Sequence, residues 1–151
     1  MNTVTKTTIK TLALDLEATL ISNAMSQFPR SGLCEFLKAC EVIFGQDNIV
    51  MYTTVNEMLF RQIASQLYKD CHVPKWFITM RYIKWEGEFK NLNFVDSQSP
   101  GSVLLVDDYD GYIHPEQRGN WVFIKQFEYP EHDDELNNTL RQIRLKISQD
   151  Q

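Results

Sequence analysis

Four short apolar runs set the main constraint on what this chain can fold into: Thr11-Leu12-Ala13-Leu14, Ile49-Val50-Met51-Tyr52, Val103-Leu104-Leu105-Val106 and Trp121-Val122-Phe123-Ile124. Continuous rather than alternating hydrophobicity is what a strand covered on both faces shows, as in a parallel sheet. Between the first two runs, Leu33, Phe36, Leu37, Cys40, Ile43 and Phe44 recur at helical spacing, and Gly45 stands where the helix should end. Leu59, Phe60, Ile63, Ala64, Leu67 and Tyr68 describe a second one-faced helix, and Leu136, Leu140, Ile143 and Ile147 a last one that Asp133 could cap. This order predicts an α/β domain with a doubly wound parallel sheet and right-handed crossovers. The stretch 73–94 breaks the pattern. It loses helical period, gathers Trp76, Phe77, Tyr82, Trp85 and Phe89, and places Glu86-Gly87 between aromatics, which predicts a small antiparallel insert with a hairpin turn.

A chain of 151 residues suits one domain spanning 1–151, with its core over about 9–147 and a polar, Thr-rich tail over 1–8. With 43% hydrophobic and 23% charged residues, disorder is not the default. No run approaches the roughly 20 apolar residues of a membrane span. The N-terminus lacks the apolar segment of a secretory signal, so a cytoplasmic protein with no membrane partner is expected. Cys34, Cys40 and Cys71 form no Cys-x-x-Cys pair, and Cys40 falls on an apolar helical stripe, which argues for core filling rather than zinc or disulfide chemistry. A net charge of −5 disfavours a dedicated duplex-DNA binder. The charge is uneven, with a basic excess over 69–90 and a strongly acidic stretch over 107–135.

The polar residues that end the apolar runs matter most. Asp15, Thr53 and Asp107-Asp108 each stand just past a predicted central strand, so a parallel sheet would bring all of them to one rim, where ligands of such sheets bind. Converging carboxylates cannot all stay ionised without a compensating cation or proton. Their hard oxygens suit Mg²⁺, which takes few protein carboxylates together with water and substrate phosphate. An Asp15 carboxylate attacking phosphorus needs a neighbouring acid to protonate the leaving oxygen and later deprotonate water, and Glu17 is placed for that. Thr53 could hydrogen-bond the transferring oxygens, and Lys90, the last basic residue of the aromatic stretch, could neutralise their charge. His72, His114 and His132 are scattered in predicted loops and suggest no metal site. Receiver domains of phosphorelay systems use the same residue types, but with the acidic pair on the first strand and the lysine last; here the single aspartate comes first and the pair last.

That order, Asp15-Leu16-Glu17-Ala18-Thr19-Leu20, then Thr53, Lys90 and Asp107-Asp108, resembles the haloacid-dehalogenase superfamily of Asp-nucleophile phosphotransferases. More narrowly it is similar to the NLI-interacting-factor branch, which includes small phosphatases acting on the C-terminal domain of RNA polymerase II. The resemblance runs from about Thr11 to Leu140 through Phe28-Pro29-Arg30-Ser31-Gly32-Leu33-Cys34-Glu35-Phe36-Leu37, Tyr52-Thr53-Thr54, Gly87-Glu88-Phe89-Lys90-Asn91-Leu92, Val103 to Asp108, and His114-Pro115-Glu116 with Asn120. It implies a three-layer Rossmann-like fold and Mg²⁺ as cofactor. Asp15 would be nucleophile and metal ligand, and Glu17 would take the acid/base position with its backbone carbonyl on the metal. Thr53, Thr54 and Lys90 would hold the phosphoryl group. Asp108 would be a further ligand, supported by Asp107.

Two departures shape the expectation. The branch normally has Asp where this chain has Glu17, and the extra methylene moves the carboxyl by about 1–1.5 Å, enough to cost about a hundredfold in rate if unabsorbed. The polymerase-directed members also carry an insert soon after the first motif, whereas only a short segment separates Leu20 from Phe28 here, so that substrate is not transferred. The same short segment leaves no room for a large cap. An open site fits a phosphate on a macromolecule, with a phosphoprotein ahead of a nucleic-acid end. A catalytically weak phospho-binding module is the alternative.

Overall fold

The computed structural model describes residues 8–149, so 1–7 of the expected polar tail lie outside it. The elements run β1 (Thr11–Leu14), α1 (Leu33–Phe44), β2 (Ile49–Met51), α2 (Glu57–Lys69), α3 (Trp76–Thr79), β3 (Arg81–Tyr82), β4 (Val103–Asp107), β5 (Trp121–Phe123) and α4 (Glu135–Gln149). The strands form one sheet in the order β3-β2-β1-β4-β5, and every pair is parallel. Each apolar run is therefore a sheet strand, as expected from its composition.

Local chemistry explains the helix limits. α1 starts after Gly32, which holds φ 79°, and stops at Gly45, whose φ of 82° suits glycine and whose N–H donates to Glu41 O at 2.8 Å. The Asn56 side chain accepts from Leu59 N at 2.9 Å and caps α2. At α4 the expected capping carboxylate is present, since Asp133 Oδ1 accepts from Glu135 N at 3.2 Å.

Strand alternation divides the core into two clusters. Leu12, Leu14, Ile49, Met51, Leu104 and Val106 face the helices and pack with Phe36 and Leu37 of α1, Phe60 and Ile63 of α2, Phe77 of α3 and Leu140 and Ile143 of α4. Ala13, Val50, Tyr52, Val103 and Leu105 face the other way, against Ile83, Leu92, Val95 and Ile113. That second layer consists of loop and 3₁₀ turns over Leu92–Phe94, Pro100–Ser102, Asp110–Tyr112 and Pro115–Asn120. The layer order of a doubly wound domain holds, with its third layer assembled from turns.

The expectation of an antiparallel insert over 73–94 is corrected. Trp76–Thr79 forms one helical turn, and Arg81–Tyr82 then joins the edge of the main sheet parallel to β2, in the register Val50↔Arg81 and Met51↔Tyr82. Gly87 turns the chain with φ 93°, but no strand follows to close a hairpin. The aromatics that suggested a hairpin are packing groups. Trp76 Nε1 donates to Glu41 Oε1 at 2.6 Å, and the Tyr82 ring lies against Phe60. Among the described residues no large cap stands over the sheet, and no helix is long and apolar enough to cross a membrane.

Candidate active site

The parallel register fixes the rim. Asp15 N donates to Val106 O at 3.0 Å and Tyr52 N to Leu14 O at 2.8 Å, so the ladder continues one residue past β1 on both sides. Asp15, Thr53 and Asp107-Asp108 leave the sheet at this same end. The chain after Asp15 winds into a single turn, with Leu20 N donating to Leu16 O at 2.9 Å and Ala18 at φ 60°. That turn brings Thr19 back over Asp15.

Three carboxylates, from Asp15, Asp107 and Asp108, present oxygens that all lie within 4.8 Å of one another. Thr19 Oγ1 sits between two of them, 2.7 Å from Asp15 Oδ2 and 3.2 Å from Asp108 Oδ1. A hydroxyl has one proton to donate, so it satisfies one carboxylate and can accept from the other when that one is protonated. Lys90 Nζ is the opposing charge, 2.9 Å from Asp15 Oδ1 and 2.5 Å from Asp107 Oδ2. Its amide donates to Tyr112 O at 2.8 Å, and its ammonium lies 5.0 Å from the Tyr112 ring centroid and 5.9 Å from that of Tyr52. Asp107 also accepts from Tyr109 N at 2.9 Å and, through its carbonyl, from Trp121 Nε1 at 3.0 Å.

The electrostatics follow from burial and crowding. Burial pushes the Asp107 carboxyl up to about 6, helped by Asp15 and opposed by Lys90. Burial and the hydrogen bond to Asp15 push Asp108 up to about 7. At Lys90 burial disfavours the ammonium, but the Asp15 and Asp107 carboxylates together outweigh it and keep the lysine charged. One lysine, bound to two of the three clustered carboxylates, thus leaves a surplus of hard-oxygen charge that a small divalent cation would balance.

The remaining expected residues have distinct places. Thr53 is buried, with Oγ1 accepting from Val55 N at 3.1 Å and its carbonyl accepting from Trp85 Nε1 at 3.0 Å. Thr54 is exposed and shares with Thr53 the wall of a cavity of about 380 Å³. Glu17 is not brought into the carboxylate cluster by its side chain: Oε2 accepts from Ala24 N at 2.7 Å and closes the 17–24 loop. None of the histidines joins the cluster; His114 Nδ1 accepts from Glu116 N, and His132 pairs with Ser31. Burial raises the Cys40 thiol to about 12, in keeping with a packing role.

Two residues that carry the site were not assigned roles by the sequence. Thr19 stood inside the Asp-x-Glu-x-Thr motif, which was the available signal. Arg30 gave none on its own. Fully buried, it forks onto the Asp133 carboxylate, with Nη2 3.0 Å from Oδ2, and donates to Thr19 O at 3.1 Å and Lys125 O at 2.6 Å. The guanidinium therefore ties the turn that follows Asp15 to the segment before α4.

A family model described as NLI interacting factor-like phosphatase matches residues 10–151, nearly the whole chain. The chain belongs to that family. Membership makes it a phosphatase-family protein and fits the all-parallel sheet with its acidic rim. Comparison with curated proteins gives no match.

Proposed function

We propose that this family member hydrolyses phosphomonoesters through a covalent intermediate on Asp15, with Mg²⁺ as cofactor and a phosphorylated protein as substrate. The observation that carries the reading is the cluster of Asp15, Asp107 and Asp108 carboxylates at one end of the sheet, with Lys90 bound to the first two. The donor set fits Mg²⁺ by its chemistry, since all three are hard oxygens with more negative charge than Lys90 neutralises. Asp15 and Asp108 would hold the ion, supported by Asp107 and by the Glu17 carbonyl. When bound, Mg²⁺ would draw charge from the phosphoryl oxygens and set the phosphate in line with Asp15.

An Asp15 oxygen attacks phosphorus, forming an Asp15 O–P bond as the bond to the leaving oxygen breaks. Glu17 supplies the proton that this oxygen takes, then accepts one from the water that attacks the phosphoryl group and frees Asp15. To do so its carboxyl must leave Ala24 N. Thr53 and Lys90 neutralise and orient the equatorial oxygens, and Thr54 borders their exit to solvent.

The test is turnover of an aryl phosphate with and without Mg²⁺, for the protein and for Asp15→Asn. Turnover is expected to require the metal and to fall at least about a thousandfold in the variant, about 4 kcal/mol of barrier, with circular dichroism unchanged. Equal rates in both proteins would overturn the reading. The Glu17–Ala24 hydrogen bond favours one alternative, a phospho-binding module with little catalysis. Tight phosphopeptide binding without turnover of any phosphomonoester would select it.

A further inference from the structure

β3 (Arg81–Tyr82) is the outermost strand on its side of the sheet, so one of its edges faces no other strand. The extended alternation continues past its end, because Ile83 N donates to Met51 O at 2.9 Å. Arg81 and Ile83 thus turn their peptide groups toward β2, and Tyr82 and Lys84 turn theirs outwards. Met80 O, in the same outward set, is occupied by Arg61 Nη1 at 2.6 Å, and Arg61 is held in turn by Glu57. Beyond that plug, the N–H and C=O groups of Tyr82 and Lys84 have no partner among the described residues. An edge left in this state is a template for another extended chain.

The open edge leads to the reaction rim. Trp85 follows it directly and is hydrogen-bonded to Thr53 O, and the cavity of about 380 Å³ is lined by Thr53, Thr54, Tyr82, Lys84, Trp85 and Glu86 among others. We propose that the substrate is an extended phosphopeptide that pairs with the outer edge of β3 through Tyr82 and Lys84 and crosses this cavity to bring its phosphate to Asp15. The proposal rests on the phosphatase reading of that site. An added strand would lie three sheet spacings from β1, about 14 Å, and an extended chain covers about 3.4 Å per residue. The pairing segment therefore sits about four residues from the phosphorylated one. A peptide fits better than a nucleic acid, because the edge offers alternating donors and acceptors at strand spacing. The exposed charges on and beside it, Arg81, Lys84, Glu86 and Glu88, are also balanced rather than basic.

A test on the unaltered protein uses a phosphoserine peptide reaching about six residues to either side of the phosphate, N-methylated at one position at a time. On one flank, methylation at two alternate positions about four residues from the phosphoserine should each lower kcat/KM about tenfold, mostly through KM. Methylation at the position between them should stay within about twofold. Lys84→Pro, which removes an outward N–H, should lower the ratio of peptide to aryl phosphate turnover about tenfold. A flat scan with the aryl phosphate still hydrolysed overturns the docking inference and leaves the phosphatase reading standing. If neither substrate is hydrolysed the phosphatase reading fails, and the same scan read as peptide affinity decides the docking. A phosphorylated oligonucleotide hydrolysed faster than every peptide also overturns it.

Discussion

On one face of the sheet, four α-helices pack large apolar side chains such as Phe36, Phe60, Phe77 and Leu140 against Leu12, Leu14, Leu104 and Val106. On the other, turns and loops cover a smaller cluster around Ala13, Val50 and Leu105, and the buried Lys90 lies there between Asp15 and Asp107. The first face is stabilised by apolar area, which does not titrate. The second buries charge, whose cost depends on whether each carboxylate holds a proton. Apolar helix packing and the buried Lys90–carboxylate charge are therefore segregated across one sheet. The loop face can hold a charged site because it is not needed for most of the packing.

The largest effect expected lies on the helix face. Phe60→Ala removes a fully buried ring that packs against Phe77 and Tyr82, and should cost about 3–5 kcal/mol in urea unfolding. That cost should be equal near pH 5 and near pH 8. Next comes Lys90→Met, which leaves two buried carboxylates without their cation and should cost about 3 kcal/mol near pH 8. Its cost should shrink toward pH 5, because Asp107 already takes a proton near 6 with the lysine present and does so more readily without it. A pH-dependent Phe60→Ala, or a pH-independent Lys90→Met, would break the division between the faces.

The same division explains what could be read from the sequence. Helix periodicity and continuous apolar runs are local signals, and α1, α2, α4 and four of the five strands lie where those signals place them. The rim residues were also readable, since Asp15, Thr53 and Asp107-Asp108 directly follow apolar runs that share one parallel sheet. The loop face was not. β3 has two residues, one of them the exposed Arg81, and no apolar run to mark it. The order of the motifs marks Lys90 as the charge-neutralising residue, but its burial has no local signal, because it depends on Tyr52, Asp107 and Tyr112, contributed by two other parts of the chain. Arg30 is the extreme case, since its partner Asp133 is over a hundred residues away and nothing local distinguishes a buried arginine from a surface one.

A smaller effect should follow from metal and pH together. Without metal, Asp107 and Asp108 hold protons in the folded protein up to about 6 and about 7, against 3.8 ordinarily. Between about pH 4 and pH 7 the folded state keeps protons that the unfolded chain has released, so stability falls as pH rises through that window. Mg²⁺ needs the ionised carboxylates. The rise in Tm on adding Mg²⁺ should therefore grow from pH 5 to pH 8, toward the roughly 1.4 kcal/mol expected at ten times Kd. A rise that is the same at both pH values, or larger at the lower one, would place the ion outside this cluster.

The smallest expected effect concerns Glu17, where the two demands meet in one side chain. Its side chain reaches Ala24 N at 2.7 Å, so the residue proposed as acid/base also closes the 17–24 loop. Glu17→Asp shortens that reach. The loop should lose about one hydrogen bond, about 1 kcal/mol, while aryl phosphate turnover stays the same or rises because the carboxyl no longer has to leave a backbone partner. Measured side by side, lower stability with undiminished turnover would mean that Glu17 serves the loop at the expense of the chemistry. A large loss of turnover would mean instead that the site is built around the longer acid, with release from Ala24 part of its cycle.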